Sequence, residues 1–209
     1  MKEEDFIPAL KFHFLTPFYD FFHSLGGFGK KYYENILKEL NLPNKKIRVL
    51  DAGCGTGKLA VEIKKQKPNI RMYAVDADER ILTMAKTNAT DAHVKIAFEQ
   101  AFLQKLPFPD SQFDVVYSSQ VIHHLTTEAK KEALKEIYRI TKKHGTFLLV
   151  DFGRPKHWWL PSFALFTKFF EEGDDNFAGR LPEMMVEAGF NVEKMNEYPH
   201  TIVMITGRK

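Results

Sequence analysis

The chain has 209 residues, with 30 Lys and Arg against 27 Asp and Glu, a formal charge of +3. That balance argues against a nucleic-acid partner, and the length suits one α/β unit with a sizeable core. A single cysteine, Cys54, excludes an intrachain disulfide and a multi-cysteine metal cluster, and no metal site is expected. No apolar run reaches about 18 residues, so no membrane span is expected. The opening Met-Lys-Glu-Glu-Asp lacks a cationic stretch followed by an apolar one, so a cytoplasmic location is expected.

In chain order, periodicity predicts two helices, over 6–24 and 30–40, interrupted at Gly26-Gly27. The first is rich in aromatics, with Phe12, Phe14, Phe18, Tyr19, Phe21 and Phe22. An apolar run at 47–51 then predicts the first strand. It leads into Gly53, Gly55 and Gly57 and a helix-like segment over 58–65. A strand that ends in a Gly-rich turn and opens a helix brings bare backbone N–H groups close to a ligand. The next strand, 71–75, leads to Asp76, whose carboxylate can accept hydrogen bonds from a ribose diol. Together they point to an adenosine-containing cofactor.

The spacing narrows the choice. In a dinucleotide fingerprint that starts at Gly53 and Gly55 the third glycine falls on Lys58. A P-loop fails because Leu59 follows Gly57-Lys58 and Ala52 occupies the earlier glycine position. Asp51 stands beside the glycines instead, repelling phosphate and favouring a cationic ligand such as an amino-acid ammonium.

Further strands are predicted at 94–98, 113–118 and 145–151, and then at 191–197 and 200–206 with no helix between them. The helix over 127–140 has the clearest pattern. Ala133, Leu134, Ile137 and Ile140 share a face, Lys130, Lys131, Lys135 and Arg139 point elsewhere, and Thr127 is the expected N-cap. The alternation predicts a doubly wound α/β fold: seven strands, mostly parallel, with the last antiparallel. Residues 1–44 are expected to form an N-terminal helical cap. Residues 45–209 form the core domain, with a lid insertion at about 153–180.

Val-Leu-Asp-Ala-Gly-Cys-Gly-Thr-Gly at 49–57 resembles the first motif of the class I S-adenosylmethionine (SAM) methyltransferases. The resemblance continues in order through Asp76-Ala-Asp, the Leu-Pro-Phe-Pro-Asp run at 106–110 and Glu136-Ile-Tyr-Arg139. Asp151-Phe-Gly-Arg-Pro155 resembles a segment of the ubiquinone/menaquinone-biosynthesis branch, and Ala188-Gly-Phe190 precedes the terminal hairpin. The resemblance implies SAM as cofactor, with S-adenosylhomocysteine (SAH) as product. It implies cofactor contacts from Asp51, Gly53, Cys54, Gly55, Gly57, Asp76 and Ala77, from Ser119 and Gln120, and closure by Tyr19. It departs from the branch at 101–104. There Phe102 replaces the usual Asp on the adenine amino group, while Glu99 or Gln100 could substitute if the loop shifts.

Methyl transfer is an in-line displacement, so catalysis rests on alignment and exclusion of water, with a general base where the acceptor must lose a proton. His123 and His124 are the candidate bases because imidazole titrates near neutral pH, with His13, Tyr19 and His23 behind them. The aromatic N-terminal segment and the stretch at 157–170 suggest a small, apolar acceptor. One rival places 158–170 on a membrane surface, acting on a lipid headgroup. Another is a non-catalytic SAM-fold ligand-binding or partner protein. Cys54 alone argues against arsenite methylation, and Ser118-Ser-Gln-Val does not resemble a DNA-amino methylation motif.

Overall fold

The computed structural model describes residues 30–154, 174–198 and 202–209. The first helix, α1 (Lys30–Leu40), is amphipathic: Tyr32, Ile36 and Leu40 recur every four residues and are buried. The expected helix over 6–24, the residues at 157–170 and Tyr19, His13 and His23 lie outside the described residues.

Strands and helices then alternate: β1 (Arg48–Ala52), α2 (Lys58–Gln66), β2 (Arg71–Asp76), α3 (Glu79–Asp91), β3 (Ile96–Gln100) and β4 (Phe113–Ser119). A 3-10 turn (Ile122–His124) leads to α4 (Thr127–Ile140), which runs straight into β5 (Thr141–Phe152). Short helices α5 (Asp174–Ala178) and α6 (Leu181–Glu187) precede β6 (Asn191–Tyr198) and β7 (Ile202–Arg208). The sheet order is β3-β2-β1-β4-β5-β7-β6. The first five strands are parallel, and β7 is antiparallel to both β5 and β6. The expected seven-stranded sheet with one reversed strand is present.

Alternation along the strands divides the core. Leu50, Val116, Phe147 and Leu149 pack with Ala133, Leu134 and Ile137 of α4 and Met184 of α6. Val49, Val115, Leu148 and Val150 belong to a second cluster with Ile36 of α1 and Leu59, Ala60 and Ile63 of α2. The two faces are thereby covered by different helices, as a mainly parallel sheet requires.

Several boundaries differ from expectation for local reasons. β3 begins two residues late because Val94 N–H still donates to Ala89 O at the end of α3. β5 begins at Thr141, paired with Phe113, and the register shifts before Val115. The cap of α4 is Thr126, whose side chain accepts from Ala129 N–H, rather than Thr127. Thr127 Oγ1 instead donates to Asp175 Oδ2 at 2.6 Å. Lys130 is fully buried, not turned to solvent: its Nζ lies 3.5 Å from Asp175 Oδ2. The same carboxylate receives Arg180 Nη1 at 2.7 Å. One acid therefore fixes α5 against the start of α4.

The motif residues Glu136 and Arg139 also have a structural task. Arg139 donates to both oxygens of Glu136 and to the carbonyls of Leu106 and Phe108, while Leu106 N–H donates to Glu136 Oε2. The charged pair folds the proline-rich approach to β4 onto α4.

Removing the Asp175 carboxylate would leave the Lys130 ammonium buried without that partner. Asp175→Ala should lower unfolding stability by about 3 kcal/mol in urea titrations. A change under about 1 kcal/mol, the range of an exposed pair, would contradict the buried-pair assignment.

Candidate functional site at the carboxyl ends of the parallel strands

The carboxyl ends of β1, β2 and β4 meet where the strand order reverses direction, the usual position of a ligand crevice in open α/β sheets. β1 ends at Ala52, and the loop turns at once. Gly53 N–H and Cys54 N–H both donate to Val75 O, at 2.9 and 2.8 Å, which fastens the loop to β2. Gly53 has φ +84°, and a Cβ there would lie 2.4 Å from Val121 Cγ2, so only glycine fits. Gly55 has φ +52°, and a Cβ there would meet nothing within 4 Å, so its backbone borders open space. Gly57, also left-handed, precedes α2.

Asp76 closes the loop from the neighbouring strand. Its Oδ2 accepts from Gly55 N–H at 2.8 Å and its Oδ1 from Asp78 N–H at 3.0 Å. Asp78 caps α3 through Arg80 and Ile81 N–H. A carboxylate has about four acceptor positions, so Asp76 keeps capacity for ligand hydroxyls. Burial raises its pKa, an effect that its backbone hydrogen bonds oppose. Ala77 is partly buried, and its carbonyl receives Gln100 Nε2 at 3.0 Å. Gln100 is thus engaged with the backbone, and Glu99 is exposed. Phe102 is 38% exposed, a large apolar ring left at the rim beyond β3.

Beneath the loop lies Asp51, 2% exposed. Tyr117, its cross-strand partner on β4, donates a hydrogen bond to Asp51 Oδ2 at 2.8 Å. Burial pushes the Asp51 pKa up to about 7; Tyr117 opposes that rise and the nearby Asp76 adds to it. Cys54 is partly buried, and burial followed by the repulsion of Asp51 and Asp76 pushes its thiol well above the ordinary value. It is therefore a neutral packing group rather than a thiolate nucleophile.

Ser119 and Gln120 close the β4 side. Ser119 Oγ lies 2.7 Å from Tyr32 Oη, so α1 reaches the crevice. Gln120 adopts φ +60°, and its N–H donates to Val150 O at 2.8 Å. Its Nε2 is buried without a hydrogen-bond partner, an unused donor one residue before Val121, whose side chain lies against Gly53. This orphan, the open space over Gly55 and the spare capacity of Asp76 fit a ligand carrying both hydroxyl and carboxylate groups.

His123 and His124 are adjacent but not equivalent. His123 is 4% exposed, and its Nδ1 lies 2.7 Å from Asp151 Oδ1. Asp151 is fully buried and also accepts from His123 N–H at 3.2 Å and Phe152 N–H at 2.7 Å. A neutral His123 therefore carries its proton on Nδ1 and its lone pair on Nε2. Its ring centre lies 4.0 Å from that of His124 and 4.8 Å from that of Phe152. Burial and the neighbouring His123 hold the His124 pKa well below the ordinary value, so His124 is neutral.

The sequence reading did not single out Tyr32, Tyr117 or Asn176, and it did not pair Asp151 with His123. The period-four apolar pattern of α1 contained a signal for Tyr32. The Asp151–His123 pair spans 28 residues and has no local signature.

Because native Asp51 titrates near 7 and its ordinary value is 3.8, the fold holds a proton that the unfolded chain has released in that window. Stability of the ligand-free protein should therefore fall as pH rises from 3.8 towards about 7. Asp51→Asn should flatten this part of the profile in urea titrations. Parallel profiles for the two proteins would exclude Asp51 as its source.

Comparison with known proteins agrees with this geometry. Residues 49–145 match the model of a methyltransferase domain family. An uncharacterized methyltransferase of Synechocystis is 29% identical over 154 residues, covering 72% of this chain and 70% of that protein. The ubiquinone/menaquinone biosynthesis C-methyltransferase UbiE of Rickettsia bellii is 31% identical over 159 residues, covering 72% of this chain. The match spans 62% of UbiE, less than two thirds of its length. Among solved structures, a SAM-dependent methyltransferase from Aquifex aeolicus superposes with a TM-score of 0.66 at 19% identity, covering 84% of this chain and 88% of that one. The glycine loop and the acid closing it from β2 lie within residues 49–145, so the crevice falls in the stretch that matches the methyltransferase-domain model, and the chain is similar in sequence to methyltransferases and in fold to a SAM-dependent methyltransferase.

Proposed function

We propose that this protein moves a methyl group from SAM to a small, apolar acceptor that gives up a proton, with His123 as general base. The observation that carries the proposal is the buried His123–Asp151 pair at 2.7 Å, next to the cofactor crevice. Bound SAM supplies an electrophilic methyl on a sulfonium. On this reading Asp76 receives the ribose hydroxyls while Gly53, Gly55 and Gly57 let the ligand approach the backbone. Ala77 and Phe102 border the adenine, with the Phe102 ring replacing a polar contact by an apolar one. Gln120 Nε2 donates to the ligand carboxylate, Ser119 lines the same side, and Asp51 faces the ammonium across the loop beside Cys54. Residues 1–44, including Tyr19, and the insertion at about 153–180 would cover the acceptor.

The protein's chemical task is positioning and proton removal. As the acceptor atom bonds to the methyl carbon and the carbon–sulfur bond breaks, the acceptor's proton passes to His123 Nε2. Asp151 holds the ring in the tautomer that can receive it and stabilises the charge that develops. The neutral His124 places no fixed positive charge against that imidazolium.

UbiE, named for a C-methylation in ubiquinone and menaquinone biosynthesis, supports a ring carbon or oxygen on a hydrophobic small molecule as the leading acceptor. Among the described residues no helix is long and apolar enough to cross a membrane, and 158–170, the segment of the membrane-surface reading, lie outside them. Incubation with methyl-labelled SAM and a metabolite extract should transfer label to a small-molecule fraction. His123→Ala should slow this transfer about 100-fold while leaving SAH affinity unchanged. Absence of transfer to every fraction would contradict the enzymatic reading. Unchanged transfer by His123→Ala would remove the base.

A further inference from the structure

Among the described residues, two buried side-chain atoms lack a hydrogen-bond partner, Gln120 Nε2 and Asn176 Oδ1. The first belongs to the residue that follows β4. The second lies at the carboxyl end of β5, beside Phe152. Asn176 belongs to α5, is fully buried, and donates through Nδ2 to Phe152 O at 3.1 Å. That bond fixes the orientation of the amide: a flip would set two oxygens against each other, so the unpartnered atom is the carbonyl oxygen.

α5 is not free to adjust. Asp175, the preceding residue, receives Thr127 Oγ1 at 2.6 Å and Arg180 Nη1 at 2.7 Å, with Lys130 Nζ at 3.5 Å. Asn176 is therefore held one residue from three anchors, against the strand end that carries Asp151. The ring of Phe152, whose carbonyl Asn176 grips, packs edge-on against His123. A rigidly oriented acceptor without a donor is costly to bury unless something in the functional state supplies the donor.

We infer that Asn176 is a specificity-determining residue, whose Oδ1 accepts a hydrogen bond from a hydroxyl of the methyl acceptor. The inference rests on the methyltransferase reading above and adds a selection rule to it. An apolar molecule of the right size that lacks the hydroxyl forgoes this hydrogen bond and binds more weakly. Discrimination of this kind, by a polar group left unsatisfied, exceeds what shape alone provides in an apolar pocket.

The test compares two probes of nearly equal size, 2-naphthol and 2-fluoronaphthalene, binding to the SAH-loaded protein by ligand-observed NMR. The wild type should prefer 2-naphthol by about tenfold or more. Asn176→Leu should abolish the preference, lowering 2-naphthol affinity while sparing 2-fluoronaphthalene. A general structural defect would weaken both probes together, and SAH affinity measured on the variant reports it separately. Equal binding of the two probes by the wild type, no saturable 2-naphthol binding, or a preference that survives in Asn176→Leu would overturn the assignment and leave Asn176 as a structural residue. Failure of the wild type to bind SAH would instead overturn the methyltransferase reading on which it rests.

Discussion

The Asp76 carboxylate, bonded to Gly55 N–H and Asp78 N–H, is the contact on which the site depends. It joins three pieces of chain at one point: the glycine loop after β1, the end of β2 and the start of α3. Val75 O holds the same loop from the strand below, through Gly53 and Cys54 N–H. The turn is thus held from two consecutive residues of β2, and Gly53 admits no other side chain against Val121. Such a loop is shaped before a ligand arrives, so binding spends little on ordering it.

Around this turn the charge distribution is unusual for a nucleotide site. Asp51 and Asp76 crowd together beneath and beside the loop, and burial pushes both pKa values up. Phosphate would be repelled there, whereas a ligand with a sulfonium and an ammonium would offset the cost of the two acids. The fold tolerates that strain because the parallel core, with Leu50, Val116 and Phe147 on one face and Val49 and Val150 on the other, is extensive. Stability is held in the sheet, while the rim carries the polar groups that the core could not use.

Much of this was legible in the sequence because it was local. The glycine spacing, the acid at the end of β2 and the helix over 127–140 each follow from a few consecutive residues. The same is true of the reversed last strand, expected because no helix separates the final two. What escaped was set by distance. Tyr32 and Ser119 are 87 residues apart, and His123 and Asp151 are 28 apart, so only the folded sheet brings them together. Lys130 looked like one more cation on a polar helix face until α5 packed over it with Asp175. Thr126 and Thr127 are adjacent and chemically alike; only the geometry assigns one to the cap and the other to Asp175. The glycine motif marked the crevice, whereas the buried cluster around His123 is assembled from single residues on separate elements.

A crystal structure of the protein with SAH would test the central claim most directly, accompanied by calorimetry of the Asp76→Ala variant. The account predicts the ribose hydroxyls on Asp76, the amino-acid end over Gly53–Gly55 and within reach of Gln120, and a loss of about 1–3 kcal/mol of binding free energy in the variant. SAH bound elsewhere, or an Asp76→Ala variant that binds it as tightly as the wild type, would contradict it.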